Sequence, residues 1–188
     1  MYNIDMTKFY IVRHGQTDYN KEHRILGRLD IPLNETGIEQ AKNIADSFRN
    51  VHFDAIYYSP LTRAKQTASE ILKKHGNAEF IEAPEIIERD FGDYGGESNN
   101  VEPPYYGLWD YSLESKAIKG GESMEDIKKR VFPFLDKLLA ERKNQNVCLV
   151  CHGGVGLIIR EYFEGMPESK NLLDFSPIPN GEAIVFEK

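Results

Sequence analysis

The sequence predicts an α/β fold, a mostly parallel open sheet with helices on both faces. Three observations predict it. Short β-rich apolar runs alternate with stretches whose apolar residues recur every three or four positions. The resulting order is β, α, β, α, β, loop, α, β, α, β. The final run, EAIVFE at 182–187, lies too close to the C-terminus to need a helix after it.

KFYIV at 8–12 suits a buried parallel strand and delivers Arg13 and His14 at its C-terminal end. Asn20 and Arg24 follow in a polar loop, with turns at Gly27, Asp30 and Pro32. TGIE at 36–39 fits a capping box led by the Thr36 hydroxyl, before a helix with Ile38, Ala41, Ala45 and Phe48 on its apolar face. DAIYY at 54–58 is the second strand, and Ser59 with Pro60 forms a cap and first turn for the next helix. Leu61, Ala64, Ala68, Ile71 and Leu72 supply its buried stripe.

Arg63 then falls in the first helical turn, where the backbone already carries partial positive charge. A bound anion or an ordinary acidic neighbour would remove the conflict. EFIEA at 79–83 is a third strand, followed by PEIIERDFGDYGG. Residues 97–120 are aromatic and turn-rich, with Tyr105, Tyr106, Trp109 and Tyr111. They read either as a lid over a pocket mouth or as an irregular segment docked by its aromatics.

Ser123 caps a helix striped by Met124, Ile127, Val131, Phe134, Leu135, Leu138 and Leu139, which Pro133 should kink. VCLV at 147–150 is a buried strand ending at Cys151, His152, Gly153 and Gly154, and Val155, Ile158, Ile159, Tyr162 and Phe163 mark the helix after it. With no repeat, low-complexity tract or linker, residues 1–188 are expected to form a single domain with 97–120 as an excursion.

The 188 residues are 40% apolar and 28% charged, enough for one sizeable core. A net charge of −7 argues against a nucleic-acid or acidic-membrane partner, so any bound phosphate needs a local basic pocket. No apolar run reaches the length of a membrane span and MYNIDMTK lacks a signal-peptide core, giving the expectation of a soluble cytoplasmic protein. Oligomeric state is not legible. Cys148 and Cys151 are spaced like a redox or zinc pair, but on a strand they point to opposite faces and read as buried structural thiols.

In open α/β sheets, ligands bind beyond the carboxyl ends of the strands. That edge collects Arg13 and His14 from the first strand, Arg63 after the second, Glu88 beyond the third, and His152 with Gly153 after a later one. A lone histidine is more often a packed one. Two histidines, two arginines, a carboxyl and glycine N–H groups at one edge form a much stronger signal.

Two guanidinium forks match the oxygens of a phosphoryl group. A charge pair at about 4 Å is worth on the order of 4 kcal/mol at an effective dielectric near 20, so two arginines offset much of a dianion's desolvation. Neutral His14 can act as nucleophile near pH 7, with His152 stabilising the phosphoryl oxygens. Glu88 can protonate the leaving alkoxide and then serve as base toward water.

Rival motifs fail. The chain has no GxxxxGK[ST] loop, GGVG after His152 lacks the rest of a dinucleotide fingerprint, and Leu157 stands where a cysteine phosphatase would need arginine. Zinc on His14, His152 and Glu88 would be repelled by the two arginines, so no metal or cofactor is expected.

These residues resemble the histidine phosphatase superfamily, also called phosphoglycerate mutase-like. The resemblance covers nearly the whole chain: RHG at 13–15 continued by Gln16, Thr17 and Asn20, SPLTRAKQTA at 59–68, Glu88 in ERDFGDYGG, GGES at 120–123 and His152 in CHGG. It implies a three-layer α/β/α sandwich with an antiparallel edge strand. It further implies a phosphohistidine at His14, phosphate clamping by Arg13, Arg63 and His152, and proton donation by Glu88. Further substrate contacts are expected from Asn20, Gln16, Thr17, Arg24, Gly27 and Gly153. Leu26 departs from the family, many members of which carry a polar residue there.

The resemblance implies a phosphomonoesterase for a small phosphorylated metabolite. A cofactor-dependent mutase needs cations in the lid, and between 97 and 120 the chain offers only Lys116 and Lys119. The mutase remains the alternative within the family, and a weakly active phospho-ligand-binding module the alternative outside it. The aromatics of 97–120 suggest stacking on an apolar or sugar part of the substrate. His23, His52 and His75 read as surface residues.

Overall fold

The computed structural model describes residues 6–98, 105–113 and 118–188. Strands β1 (Lys8–Arg13), β2 (Ala55–Tyr58), β3 (Glu79–Glu82), β4 (Asn146–Cys151) and β5 (Ala183–Glu187) form one sheet in the order β3-β2-β4-β1-β5. Its pairings are parallel except for β5, which runs antiparallel to β1 at the edge. The expected mixed sheet, antiparallel edge included, is therefore observed.

Helices α1 (Asp18–Lys21), α2 (Glu35–Ser47), α3 (Thr62–Lys74), α4 (Met124–Glu141) and α5 (Gly153–Glu164) complete the fold. Alternation along the strands divides the core in two. Phe9, Ile11, Tyr57, Val147, Leu149 and Cys151 pack with the apolar stripes of α4 and α5. On the opposite face, Val12, Ile56, Tyr58, Cys148 and Val150 pack with α2 and α3. Cys148 and Cys151 thus lie on opposite faces, both free. Burial pushes both thiols up, that of Cys151 to about 12, which makes them poor nucleophiles and ligands.

Several local expectations are corrected. The cap of α2 is Asn34, whose side chain accepts from Gly37 N–H at 2.9 Å, so the helix starts before Thr36. Ile38 consequently turns outward and is 39% exposed instead of joining the core face. Asn20 belongs to the short helix α1, capped reciprocally by Thr17, and not to an open loop. The residue before α3 is Leu61, which has no side-chain oxygen, and Asp30 reaches across to take Thr62 N–H at 2.7 Å and Thr62 Oγ at 2.8 Å. Ser59 is drawn elsewhere, as described below. Helix α4 has the predicted Ser123 cap and continues through Pro133. His75 is half-buried, its ring 4.8 Å from that of Phe53, and is not a free surface residue.

Part of the 97–120 excursion, residues 99–104 and 114–117, lies outside the described residues, as do the side chains of Tyr105 and Tyr106. The described part is docked. Trp109 is fully buried, 6.0 Å from the Phe91 ring, and the Tyr111 hydroxyl donates to Glu161 of α5 at 2.7 Å. Trp109 therefore belongs to the core and offers no stacking face to a ligand. No helix among the described residues is long and apolar enough to cross a membrane.

Candidate active site

Register brings the two histidines together. Arg13 pairs with Cys151 across β1 and β4, so His14 and His152 are the next residues on adjacent parallel strands, with ring centroids 5.1 Å apart. Both are almost wholly buried.

His14 is fixed on every side. Its backbone N–H donates to Cys151 O at 3.1 Å, and its carbonyl accepts from Asn180 Nδ2 at 3.0 Å and from Gly181 N at 3.2 Å. Nδ1 lies 2.7 Å from Gly15 O, which makes Nδ1 the protonated nitrogen and leaves a lone pair on Nε2. Arg63 Nε donates toward that lone pair at 3.2 Å. Gly15 N–H in turn donates to Thr67 Oγ at 3.1 Å. No side chain is possible at Gly15, because a Cβ there would sit 2.3 Å from the Gly37 carbonyl oxygen.

Burial, reinforced by the charges of Arg63 and Arg13, holds the His14 imidazole well below its usual 6.5. His152 is lowered as well, by burial first, then Arg63, and then His14 and Arg13. Both are neutral near pH 7. His152 shares its Nε2 with Ser59 Oγ at 2.7 Å, while Nδ1 is buried without a hydrogen-bond partner among the described residues. Ser59 Oγ also accepts from Leu61 N–H at 3.4 Å, one residue short of α3 itself, which starts at Thr62.

The lowered values carry a prediction for stability. An imidazole held below its unfolded value contributes stability that is complete above pH 6.5 and is lost as pH falls toward the folded value. Urea unfolding free energy should therefore begin to fall below about pH 6.5, by up to about 1.4 kcal/mol per pH unit for each histidine. His152→Asn should flatten that limb, and an unchanged pH dependence in the variant would contradict the assignment.

Arg63 is fully buried. Nη1 donates to Leu29 O at 2.6 Å and Nη2 to Gly27 O at 2.8 Å, and burial lowers it to about 10 against the opposing pull of Glu88 and Asp30. Glu88 first, and Asp30 after it, are the acidic neighbours that relieve the cation in the first turn of α3. Arg13 donates from Nη1 to Ile178 O at 2.9 Å, and its guanidinium carbon is 3.3 Å from where a Cβ of Gly153 would lie.

Glu88 occupies the N-terminus of α5. Its carboxylate accepts from Gly154 N and Val155 N, each at 3.2 Å, and from Arg89 N at 2.9 Å. The first-turn N–H groups of Gly154 and Val155 thus serve the acid. A Cβ at Gly154 would strike Trp109 at 2.3 Å and Glu88 Oε1 at 2.7 Å, so glycine is required there.

Arg13, His14, Asn20, Arg24, Ile25, Leu26, Gly27, Arg63, Glu88, Phe91, Gly153 and Gly154 line a cleft of about 90 Å³. At about 30 Å³ per water, that is room on the scale of one phosphoryl group. His152 packs on His14 without itself lining the cleft, and Gln16 and Thr17 do not line it either. Gln16 accepts from Asn34 Nδ2 at 3.1 Å, and Thr17 caps α1. Arg24 is held at the rim by Gly96 O at 2.7 Å and lies 3.9 Å over the Tyr19 ring. Ser59, Thr67 and Asn180 are supports that single-residue reading missed; the first two lie inside SPLTRAKQTA, whose spacing carries them.

Residues 9–185 match the histidine phosphatase superfamily (branch 1). The chain belongs to the histidine phosphatase superfamily. Among members of this superfamily, Phosphoserine phosphatase 1 of Hydrogenobacter thermophilus is 36% identical over 151 residues, covering 78% of this chain and 71% of that protein. Phosphoglycerate mutase-like protein 4 of Arabidopsis thaliana is 32% identical over 168 residues, covering 86% and 72%. The mycobacterial glucosyl-3-phosphoglycerate phosphatase solved with VO3 superposes with a TM-score of 0.83 at 26% identity, covering 95% and 91%.

Proposed function

We propose that this chain is a phosphatase that hydrolyses a small phosphomonoester through a phosphohistidine on His14, with no metal in the chemistry. The observation that carries the reading is the Nδ1 bond to Gly15 O, which points the Nε2 lone pair of a neutral imidazole at Arg63 and the cleft. In the first step Nε2 attacks phosphorus, and Arg63 Nε turns from the lone pair to a phosphoryl oxygen. Arg13 and the unpaired His152 Nδ1 take the other oxygens. Glu88, entering this step protonated, gives its proton to the leaving oxygen and becomes the carboxylate that the Gly154, Val155 and Arg89 N–H groups hold. In the second step it takes a proton from water, which attacks the phosphohistidine and releases phosphate.

The narrow cleft and the phosphatase names of the relatives support a small phosphorylated metabolite as substrate. Lys119, one of two cations available for a mutase lid, faces Asp93 at 3.5 Å instead of the cleft, which favours hydrolysis over retention of a bisphosphorylated intermediate.

Turnover of p-nitrophenyl phosphate should survive saturating EDTA, because Arg13 and Arg63 already supply the positive charge a metal would bring. Loss of all activity on chelation would sink the metal-free mechanism. Glu88→Gln should cost on the order of 10²-fold or more with phenyl phosphate, a poor leaving group, and much less with p-nitrophenyl phosphate. Equal losses would contradict the proton-donor role.

A further inference from the structure

Glu88 is held from two directions. Its carboxylate is fixed by α5, and its main-chain carbonyl accepts from Arg28 Nε and Arg130 Nη2, each at 3.3 Å. Those two guanidiniums come from separate segments, the loop before α2 and the middle of α4, and they converge on one carboxylate. Arg28 Nη2 meets Glu122 Oε1 at 2.7 Å, while Arg130 Nε and Nη2 meet Oε1 and Oε2, both at 3.2 Å.

Glu122 also ties down the chain just beyond the acid. Its Oε2 accepts from Asp90 N at 3.0 Å, its carbonyl from Arg89 Nε at 3.0 Å, and its N–H donates to Asp90 O at 2.9 Å. The Glu122 and Arg130 side chains are only 18% and 17% exposed, so solvent screens the pair less than an ordinary surface bridge. None of the three charges lines the cleft.

We propose that Glu122 is a positioning residue for the proton-transfer step. Through Arg28 and Arg130 it sets the position of the Glu88 main chain, and hence the distance from the carboxyl to the leaving oxygen. The inference rests on the proton-donor reading of Glu88. Proton transfer demands a heavy-atom distance of about 2.6–3.2 Å, and a misplacement of about 1 Å can cost on the order of 10²-fold. A neutral side chain at 122 would take from two guanidiniums the carboxylate they share, leaving Arg28 with the longer pair to Asp90 at 3.9 Å, and their long bonds to the Glu88 carbonyl would slacken. Arg63 is anchored separately on Gly27 O and Leu29 O, so phosphate binding stays intact.

The test compares Glu122→Gln, Arg130→Lys, Glu88→Gln and the double variant Glu88→Gln/Glu122→Gln on phenyl phosphate and p-nitrophenyl phosphate. Glu122→Gln and Arg130→Lys should each lower kcat on phenyl phosphate by about 10-fold or more. The loss on p-nitrophenyl phosphate should be under about threefold, with both KM values nearly unchanged. In the Glu88→Gln background the Glu122 change should add no leaving-group-dependent loss, since residues that act as a unit are not additive. Equal losses on both substrates in Glu122→Gln and Arg130→Lys, with Glu88→Gln still discriminating, would overturn the positioning role alone. A Glu88→Gln enzyme that does not discriminate would overturn the proton-donor reading and this inference with it.

Discussion

His14→Ala is expected to abolish turnover, by on the order of 10⁴-fold or more, together with any acid-labile phosphoenzyme. The alanine removes the imidazole, with its attacking Nε2 and its Nδ1 bond to Gly15 O. Arg13, Arg63 and His152 remain, and the His14 backbone keeps its bonds to Cys151, Asn180 and Gly181. Inorganic phosphate should therefore still bind to the variant. Rapid acid and alkaline quenching after mixing with a ³²P-labelled phosphoester separates the outcomes: label that is acid-labile and alkali-stable in the native enzyme and missing in the variant supports the assignment. Unchanged labelling would move the nucleophile elsewhere.

Arg63 should be the next most sensitive position. Arg63→Lys is expected to lower kcat/KM by about 10³-fold, in the range of losing a preorganised donor at a developing anion. Lysine keeps a charge but cannot serve Leu29 O, Gly27 O and the site at once with the geometry of a planar fork. Any carbonyl left bare in this buried setting costs about 1–3 kcal/mol, so a lower melting temperature should accompany the kinetic loss. Arg63→Met adds a second readout. Because the Arg63 charge helps hold His14 low, removing it raises the histidine toward 6.5 and moves the acid limb of the pH–rate profile upward. A limb that stays in place would show that burial and Arg13, without Arg63, set the nucleophile's titration.

The strands and the residues at their carboxyl ends were legible because they depend on short-range pattern. KFYIV and VCLV are continuous apolar runs, and a run buried on both faces has few alternatives. What the pattern missed was competition between partners. Thr36 fits a capping box by sequence, but Asn34, two residues earlier, is the one whose oxygen reaches Gly37 N–H. Ser59 has cap chemistry, but His152, 93 positions away, claims its hydroxyl, and Asp30 supplies the helix instead. Trp109 reads by sequence either as a lid aromatic or as one that docks its segment, and the absent side chain at Gly154 opens the slot that decides for docking. The convergence of Arg28 and Arg130 on Glu122 has no local signature, since ion pairs between distant segments leave no periodic trace.

The register of β1 with β4 has a consequence for folding. The two histidines follow strands far apart in the chain, Lys8–Arg13 and Asn146–Cys151. Pairing of such sequence-distant segments is slow. The proposed phosphoryl acceptor therefore gains its partner histidine only when these two strands close on each other, and opening of that one pairing would dissolve the constellation as a whole.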